Sequence, residues 1–209
     1  DRTGLKTPQD LKGKIIGVTY GGNDETIMRA LLAKYNITEQ EVTLFSVRYD
    51  YTPFYQGKVD LWPLYRNAQA PIIGDKLRKA GEKFDLMSPS RLGIQFVANS
   101  VVTTTKMLQE RPETVRRFMQ ALIQGWSEAL DPENKEKAIE TVLKYNAETP
   151  ENIVRRQLPA TRNLMLPRAG FQFGTIDIAA WKQTEAIMLS QKLIDNPVHI
   201  ENRIKPVVE

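Results

Sequence analysis

Lys12-Gly-Lys-Ile-Ile-Gly-Val-Thr-Tyr-Gly-Gly-Asn-Asp-Glu-Thr26 is the stretch on which the fold turns. Its centre is apolar and β-branched, lysines precede it and Gly21-Gly22 follow it, so it reads as a buried strand running into a turn. From Asp24 to Tyr35 the apolar residues Ile27, Ala30 and Leu31 recur at helical spacing, and Asn36 ends the run. A strand followed at once by a helix opens a parallel or mixed α/β sheet.

Working outward, Val42–Tyr49 reads as a second strand. Asp50–Gly57 reads as a short helix begun at an Asp cap and stopped by glycine. Val59–Tyr65 reads as a third strand, short and rich in aromatics. Ala68–Gly81 follows as a helix that tolerates Pro71 near its first turn. Strand and helix therefore alternate three times before residue 93. Ile94–Thr103 reads as a further strand pair or one long crossing strand. Beyond it the chain is helical over 112–130, 134–145, 150–163 and 178–193. Several of these helices start at a proline suited to a first helical position, as in Arg111-Pro-Glu-Thr and Asp131-Pro-Glu-Asn. The expected division is an α/β lobe over 9–93 and a helix-rich remainder over 94–209.

Composition narrows the function. Of 209 residues, 29 are Lys or Arg and 25 are Asp or Glu, a net +4 spread without any basic block, which argues against nucleic-acid binding. The absence of cysteine removes disulfides, thiolate nucleophiles and thiolate metal sites. The single histidine, His199, fits a surface or capping role better than a catalytic one, and no multi-histidine metal site can be built. The longest apolar runs, Val59–Tyr65 and Ile176–Trp181, are far shorter than the roughly 18 residues of a membrane span.

Two places invite a ligand. The turn Gly21-Gly22-Asn23-Asp24 lets backbone approach a bound molecule and offers N–H groups at a helix start, although a plain turn capped by Asn23 or Asp24 has the same sequence. It is not a GxGxxG turn, so a dinucleotide is not indicated. Tyr49, Tyr51, Phe54, Tyr55, Trp62 and Tyr65 place six of the chain's 17 aromatics within 17 residues, interleaved with Asp50, Asp60, Asn67 and Gln69. Aromatics so placed can be core. Polar groups beside aromatic walls at strand ends are also what a small-molecule cleft requires. Asp24 and Glu25 are adjacent on a helix and point in different directions, so they do not form an acid–base pair.

Three blocks carry a resemblance. They are Gly4-Leu-Lys-Thr-Pro-Gln-Asp-Leu-Lys-Gly-Lys-Ile-Ile-Gly-Val18 with Gly21-Gly-Asn-Asp-Glu25, then Tyr49-Asp-Tyr-Thr-Pro-Phe-Tyr-Gln-Gly-Lys-Val-Asp-Leu-Trp-Pro-Leu-Tyr65, then Arg111-Pro-Glu-Thr-Val-Arg-Arg-Phe118 with Gly125-Trp126 and Asp131-Pro132. Together they resemble the NMT1/THI5-like substrate-binding proteins of ABC importers. The resemblance implies a periplasmic-binding-protein type II-like α/β fold, here one complete α/β lobe plus a helix-rich partial second lobe. The opening βαβ part of that second lobe has no counterpart in the sequence. A lobe without those sheet partners would expose apolar surface, so either self-association or a longer parent polypeptide is expected.

The resemblance further implies a periplasmic or extracytoplasmic location, membrane anchoring included, with a permease in the membrane as partner. It implies no enzymatic activity, no cofactor and no metal. The implied ligand is a small polar solute, heteroaromatic or anionic, such as a thiamine pyrimidine precursor or a sulfonate, and hinged closure would hold it. Carried over residue by residue, the ligand-contacting set is Gly21, Gly22, Asn23, Asp24, Tyr49, Asp50, Tyr51, Trp62, Tyr65 and Gln69. Pyrimidine-binding members carry Tyr-x-x-x-Glu where this sequence has Tyr65 and Gln69, a departure that replaces a carboxylate acceptor by an amide. The alternative from another class is the ligand-sensing domain of a membrane signalling protein with the same fold.

Overall fold

The computed structural model describes residues 5–48, 50–97, 99–167, 170, 171 and 173–204, arranged as two compact units. The first unit is built from residues 5–63, 76–100 and 177–204, the second from 64–75 and 101–176. Each unit thus draws on chain from both sides of residue 93.

In the first unit β1 (Ile15–Val18) and β2 (Thr43–Ser46) pair in parallel, with Ile15 opposite Thr43 and Val18 opposite Ser46. β1 has no polar side chain, and both of its faces are covered. Ile16 and Val18 join Leu11, Leu31, Leu32, Ile37, Val42, Ile94 and Ile187 in one buried cluster. Leu11 reaches it from a 3-10 turn, Pro8–Leu11, whose Thr7 and Asp10 form a reciprocal capping box. Leu31 and Leu32 come from α1 (Asn23–Lys34), and Ile187 from α8 (Ile178–Ser190). Parallel strands buried on both faces require this kind of continuous apolar run.

Two strand expectations are corrected. Val59–Tyr65 does not form a third strand; it makes a single parallel bridge, Ile16 to Leu61. The Asp60 amide donates to the Ile15 carbonyl at 2.9 Å and the Gly17 amide to the Leu61 carbonyl at 2.9 Å, after which Pro63 has no N–H to continue the ladder. Ile94–Thr103 carries no strand among its described residues, because α8 side chains satisfy its backbone instead. Gln183 accepts from the Gln95 amide at 2.5 Å and donates to the Gly93 carbonyl at 3.2 Å. The Thr184 hydroxyl accepts from the Val97 amide at 2.9 Å. The second expected strand is also shorter, ending at Ser46.

The helical expectations hold with small shifts: α2 (Thr52–Tyr55), α3 (Gln69–Lys79), α5 (Pro112–Leu130), α6 (Lys135–Tyr145) and α7 (Glu151–Met165), with the short α4 (Thr105–Glu110) unforeseen. The second unit has no strand among its described residues. Its buried apolar residues include Leu130, Ile139, Ile153 and Val154, and Ala70 and Ile73 of α3. The segment before α3 is tied to α7, with Asn67 donating to the Thr161 hydroxyl at 3.2 Å and Gln157 to the Ala68 carbonyl at 3.2 Å. The apolar stripe of α5 is only half covered, and Phe118 remains 57% exposed.

At the end of the first unit, the Glu185 carboxylate of α8 accepts from the amides of Val198, His199 and Ile200 at 2.6, 2.9 and 3.1 Å. These bonds, Ile200 first, hold the Glu185 carboxyl below the usual carboxylate range, and a nearby His199 charge acts in the same direction. A depressed folded value means the clamp is complete above the ordinary glutamate value, 4.5, and is lost as pH falls through the lower folded value. Hydrogen exchange followed by mass spectrometry is expected to show constant protection of 198–200 from neutral pH down to that point and a decline below it. Glu185→Ala should remove the protection already at neutral pH. Unchanged protection in the variant would exclude the clamp.

Candidate functional site

Because β1, β2 and the Leu61 bridge run parallel, their carboxyl ends lie at one edge, where open α/β sheets place ligands. The chain leaves that edge through three segments. Thr19–Gly22 leads from β1 to α1, Val47–Tyr51 leads from β2 to α2, and Trp62 follows the bridge. The structure therefore brings Gly21, Gly22, Asn23, Asp24, Asp50, Tyr51 and Trp62 to one end of the first unit. Tyr65 and Gln69 belong to the second unit. Tyr49 lies outside the described residues.

The β1–α1 turn is tight. Gly21 has φ +79°, the left-handed region that glycine enters without strain, and the Gly22 amide donates to the Thr19 carbonyl at 2.7 Å. A Cβ on Gly22 would stand 2.6 Å from Asp24 Oδ1 and 2.8 Å from the Thr19 carbonyl oxygen, so any side chain there forces the turn apart. The helix answers the turn with its own acids. Asp24 Oδ2 accepts from the Thr19 amide at 2.6 Å, and Glu25 Oε2 accepts from the Gly21 amide at 2.7 Å. Arg29 holds the other Glu25 oxygen through Nε at 2.9 Å and the guanidinium end at 2.8 Å, and pairs also with Glu39. Sequence reading carried Glu25 within the turn's motif but missed Arg29 as its partner, although their i,i+4 spacing was there to be used.

Trp62 forms the middle of an aromatic cluster. Its ring centroid lies 5.3 Å from that of Tyr51 and 6.1 Å from that of Phe54, with planes tilted by 47° and 51°. Tyr55 meets Tyr51 at 6.5 Å and Phe54 at 6.2 Å. These are the offset, tilted contacts that ring quadrupoles favour. All four rings are half-buried, so the cluster keeps aromatic surface exposed rather than forming sealed core. Lys76 Nζ, which sequence reading did not single out, lies 3.8 Å from the Tyr55 ring centroid. Burial, with a smaller contribution from Tyr51, pushes the Tyr55 hydroxyl above its ordinary value.

The interleaved polar residues serve different ends. Asp50 accepts from the Thr52 amide at 2.9 Å and so starts α2, and its Thr52 hydrogen bonds lower its carboxyl below the usual range. Asp60 accepts from the Ile15 amide at 2.8 Å, at the amino end of β1, away from the strand ends. Gln69 Oε1 accepts from the Tyr65 amide at 2.9 Å, which caps the start of α3. Gln69→Glu keeps the cap and adds a negative charge to the first turn, so thermal unfolding is expected to shift upward by roughly 0.3–1 kcal/mol. A fall in stability would exclude the capping role. Among the described residues, no group of three or more His, Cys, Asp or Glu side chains is placed to hold a metal ion. Among the described residues, no helix is long and apolar enough to cross a membrane.

The family model described as NMT1/THI5 like matches residues 1–135. This chain belongs to that family. Another protein similar to this NMT1/THI5-like chain is the riboflavin-binding protein RibY of Chloroflexus aurantiacus. It is 23% identical over 207 residues, covering 94% of this chain and 56% of RibY. Among solved structures, the alkanesulfonate-binding protein SsuA from Xanthomonas axonopodis pv. citri bound to MOPS superposes with a TM-score of 0.63 at 19% identity. The match covers 98% of this chain and 66% of that one. The periplasmic aliphatic sulphonate binding protein SsuA from Escherichia coli gives 0.65 at 18% identity, covering 98% and 63%. The NMT1/THI5-like chain thus spans between about half and two-thirds of the length of these relatives. The superpositions establish a periplasmic-binding-protein α/β fold.

Proposed function

We propose that this protein is the solute-binding component of an ABC importer, working outside the cytoplasm without covalent chemistry and delivering its ligand to a membrane permease. Family membership and the binding-protein fold support the class of function. The aromatic platform at the carboxyl edge of the sheet supports the ligand class: a small, flat, polar heteroaromatic solute whose ring lies against Trp62 and Tyr51. Gly21, Gly22, Asn23 and Asp50, at the same edge, line the approach to that ring. The observation that carries the reading is the half-buried Trp62, supported by two other aromatics yet left open at a strand end. RibY carries a ring-bearing ligand in its name, riboflavin, which makes riboflavin the natural first probe.

The test is titration of the purified protein with riboflavin, a 4-aminopyrimidine and MOPS, followed by tryptophan fluorescence and calorimetry. A flat heteroaromatic probe should bind and change the tryptophan signal. Preferential binding of MOPS would overturn the ligand class, and native mass spectrometry showing a co-purified non-aromatic solute would do the same.

A further inference from the structure

The NMT1/THI5-like chain superposes on sulfonate-binding proteins, yet the end of the sheet that should greet an anion is already filled. Backbone N–H groups exposed in the turn between a strand and a helix attract anions where they are left unpaired. In this chain Asp24 and Glu25, both on the first turn of α1, reach back over the turn and take the Thr19 and Gly21 amides at 2.6 and 2.7 Å. Glu25 is not free to swing aside, because Arg29 grips its second oxygen and is itself paired with Glu39. Glu25 and Arg29 are largely shielded, with side chains 15% and 29% exposed. A Cβ on Gly22 would meet Asp24 Oδ1 at 2.6 Å, so the carboxylate occupies the space beside the turn.

We infer that Asp24 and Glu25 are specificity-determining residues: they occupy the amides of the β1–α1 turn with built-in carboxylates and so reject sulfonate-, sulfate- or phosphate-bearing ligand ends at this edge of the sheet. A ligand group that meets the turn is then neutral, or offers a hydrogen-bond donor to Asp24 Oδ1, the carboxylate oxygen that does not take the Thr19 amide. Two effects add. The amides are spent, and an incoming anion a few ångströms from a carboxylate meets repulsion that a partly shielded site does not screen well. This inference rests on the binding-protein reading for its biological meaning, but its test does not need the natural ligand.

The experiment is titration of the ¹⁵N-labelled full chain with inorganic sulfate and with MOPS, reading the Thr19 and Gly21 amide resonances. In the unmodified protein these amides are expected not to respond. In Asp24→Ala/Glu25→Ala they are expected to shift saturably, with apparent sulfate affinity at least about tenfold tighter than in the parent. Asp24→Asn/Glu25→Gln keeps an oxygen on each amide and serves as the variant least able to disturb folding. Its Thr19 and Gly21 amides should remain unresponsive. Saturable sulfate or MOPS shifts at Thr19 and Gly21 in the unmodified protein would overturn the inference. So would their absence in a folded alanine variant, or their presence in the amide variant. Failure of every heteroaromatic probe to bind would instead count against the function proposed above and would leave these amide measurements standing.

Discussion

Gly17→Val is expected to abolish or severely weaken folding of the first unit, and Gly17→Ala to lower its stability by roughly 1–3 kcal/mol. The reason is a three-way approach on the middle of β1. A Cβ at Gly17 would stand 2.9 Å from Val47 Cγ1, 3.2 Å from the Leu61 carbonyl oxygen and 3.3 Å from Pro63 Cδ. The carbonyl oxygen is held in place, because it accepts the Gly17 amide at 2.9 Å beside the Ile16–Leu61 bridge. Pro63 is rigid, and Val47 is buried. Gly125→Ala is the matched control. Gly125 lies within α5 with nothing within 4 Å of its would-be Cβ, so alanine there should stabilise by roughly 0.5–1 kcal/mol. Urea unfolding followed by far-UV circular dichroism measures both. A Gly17→Ala variant as stable as the parent would show that β1 can relax away from Leu61 and Pro63.

The same crowding explains what could and could not be read from the sequence. Lys12–Val18 announces β1 because both of its faces are buried and its composition is uniformly apolar through the centre. The helices announce themselves because each start carries a local signal, such as Pro112 after Arg111 or Asp177, whose side chain accepts from the Ala180 amide. The third strand was misread because a run of aromatic and β-branched residues has strand propensity whatever its partners do. Pro63 limits the ladder to Leu61. The extended segment after Gly93 was misread for a different reason. Its amides are met by Gln183 and Thr184, which lie 88 and 87 residues further along, and no local pattern records that.

The candidate site divides in the same way. That glycines and aromatics gather at strand ends was legible, since both are local. That Asp60 serves the opposite end of β1 was not, because its partner Ile15 is 45 residues earlier. The inward reach of Asp24 and Glu25 was half legible. Their spacing from Thr19 and Gly21 permits it, but the positive φ of Gly21 is what brings the amides round to meet them.

Trp62→Ala is the largest expected effect on binding. A heteroaromatic ring laid on the indole gains roughly 0.5–1.5 kcal/mol beyond the area it buries, so its removal should weaken riboflavin binding by at least about threefold to tenfold. Lost burial adds to this, because alanine leaves Tyr51 and Phe54 without the ring they pack on at 5.3 and 6.1 Å. Trp62→Phe separates the two contributions. A smaller ring still supports Tyr51 and Phe54, so stability should fall little, while the ligand loses the wider indole face and affinity drops by less than in the alanine variant. Tyr55→Phe is the control, since its hydroxyl is not needed for ring packing and Lys76 can still sit over the ring. The graded order, alanine weaker than phenylalanine weaker than parent, is what a stacking wall requires. If both Trp62 variants fold and bind riboflavin as the parent does, the indole serves only to pack the cluster, and the ligand must be held by another part of the sheet edge.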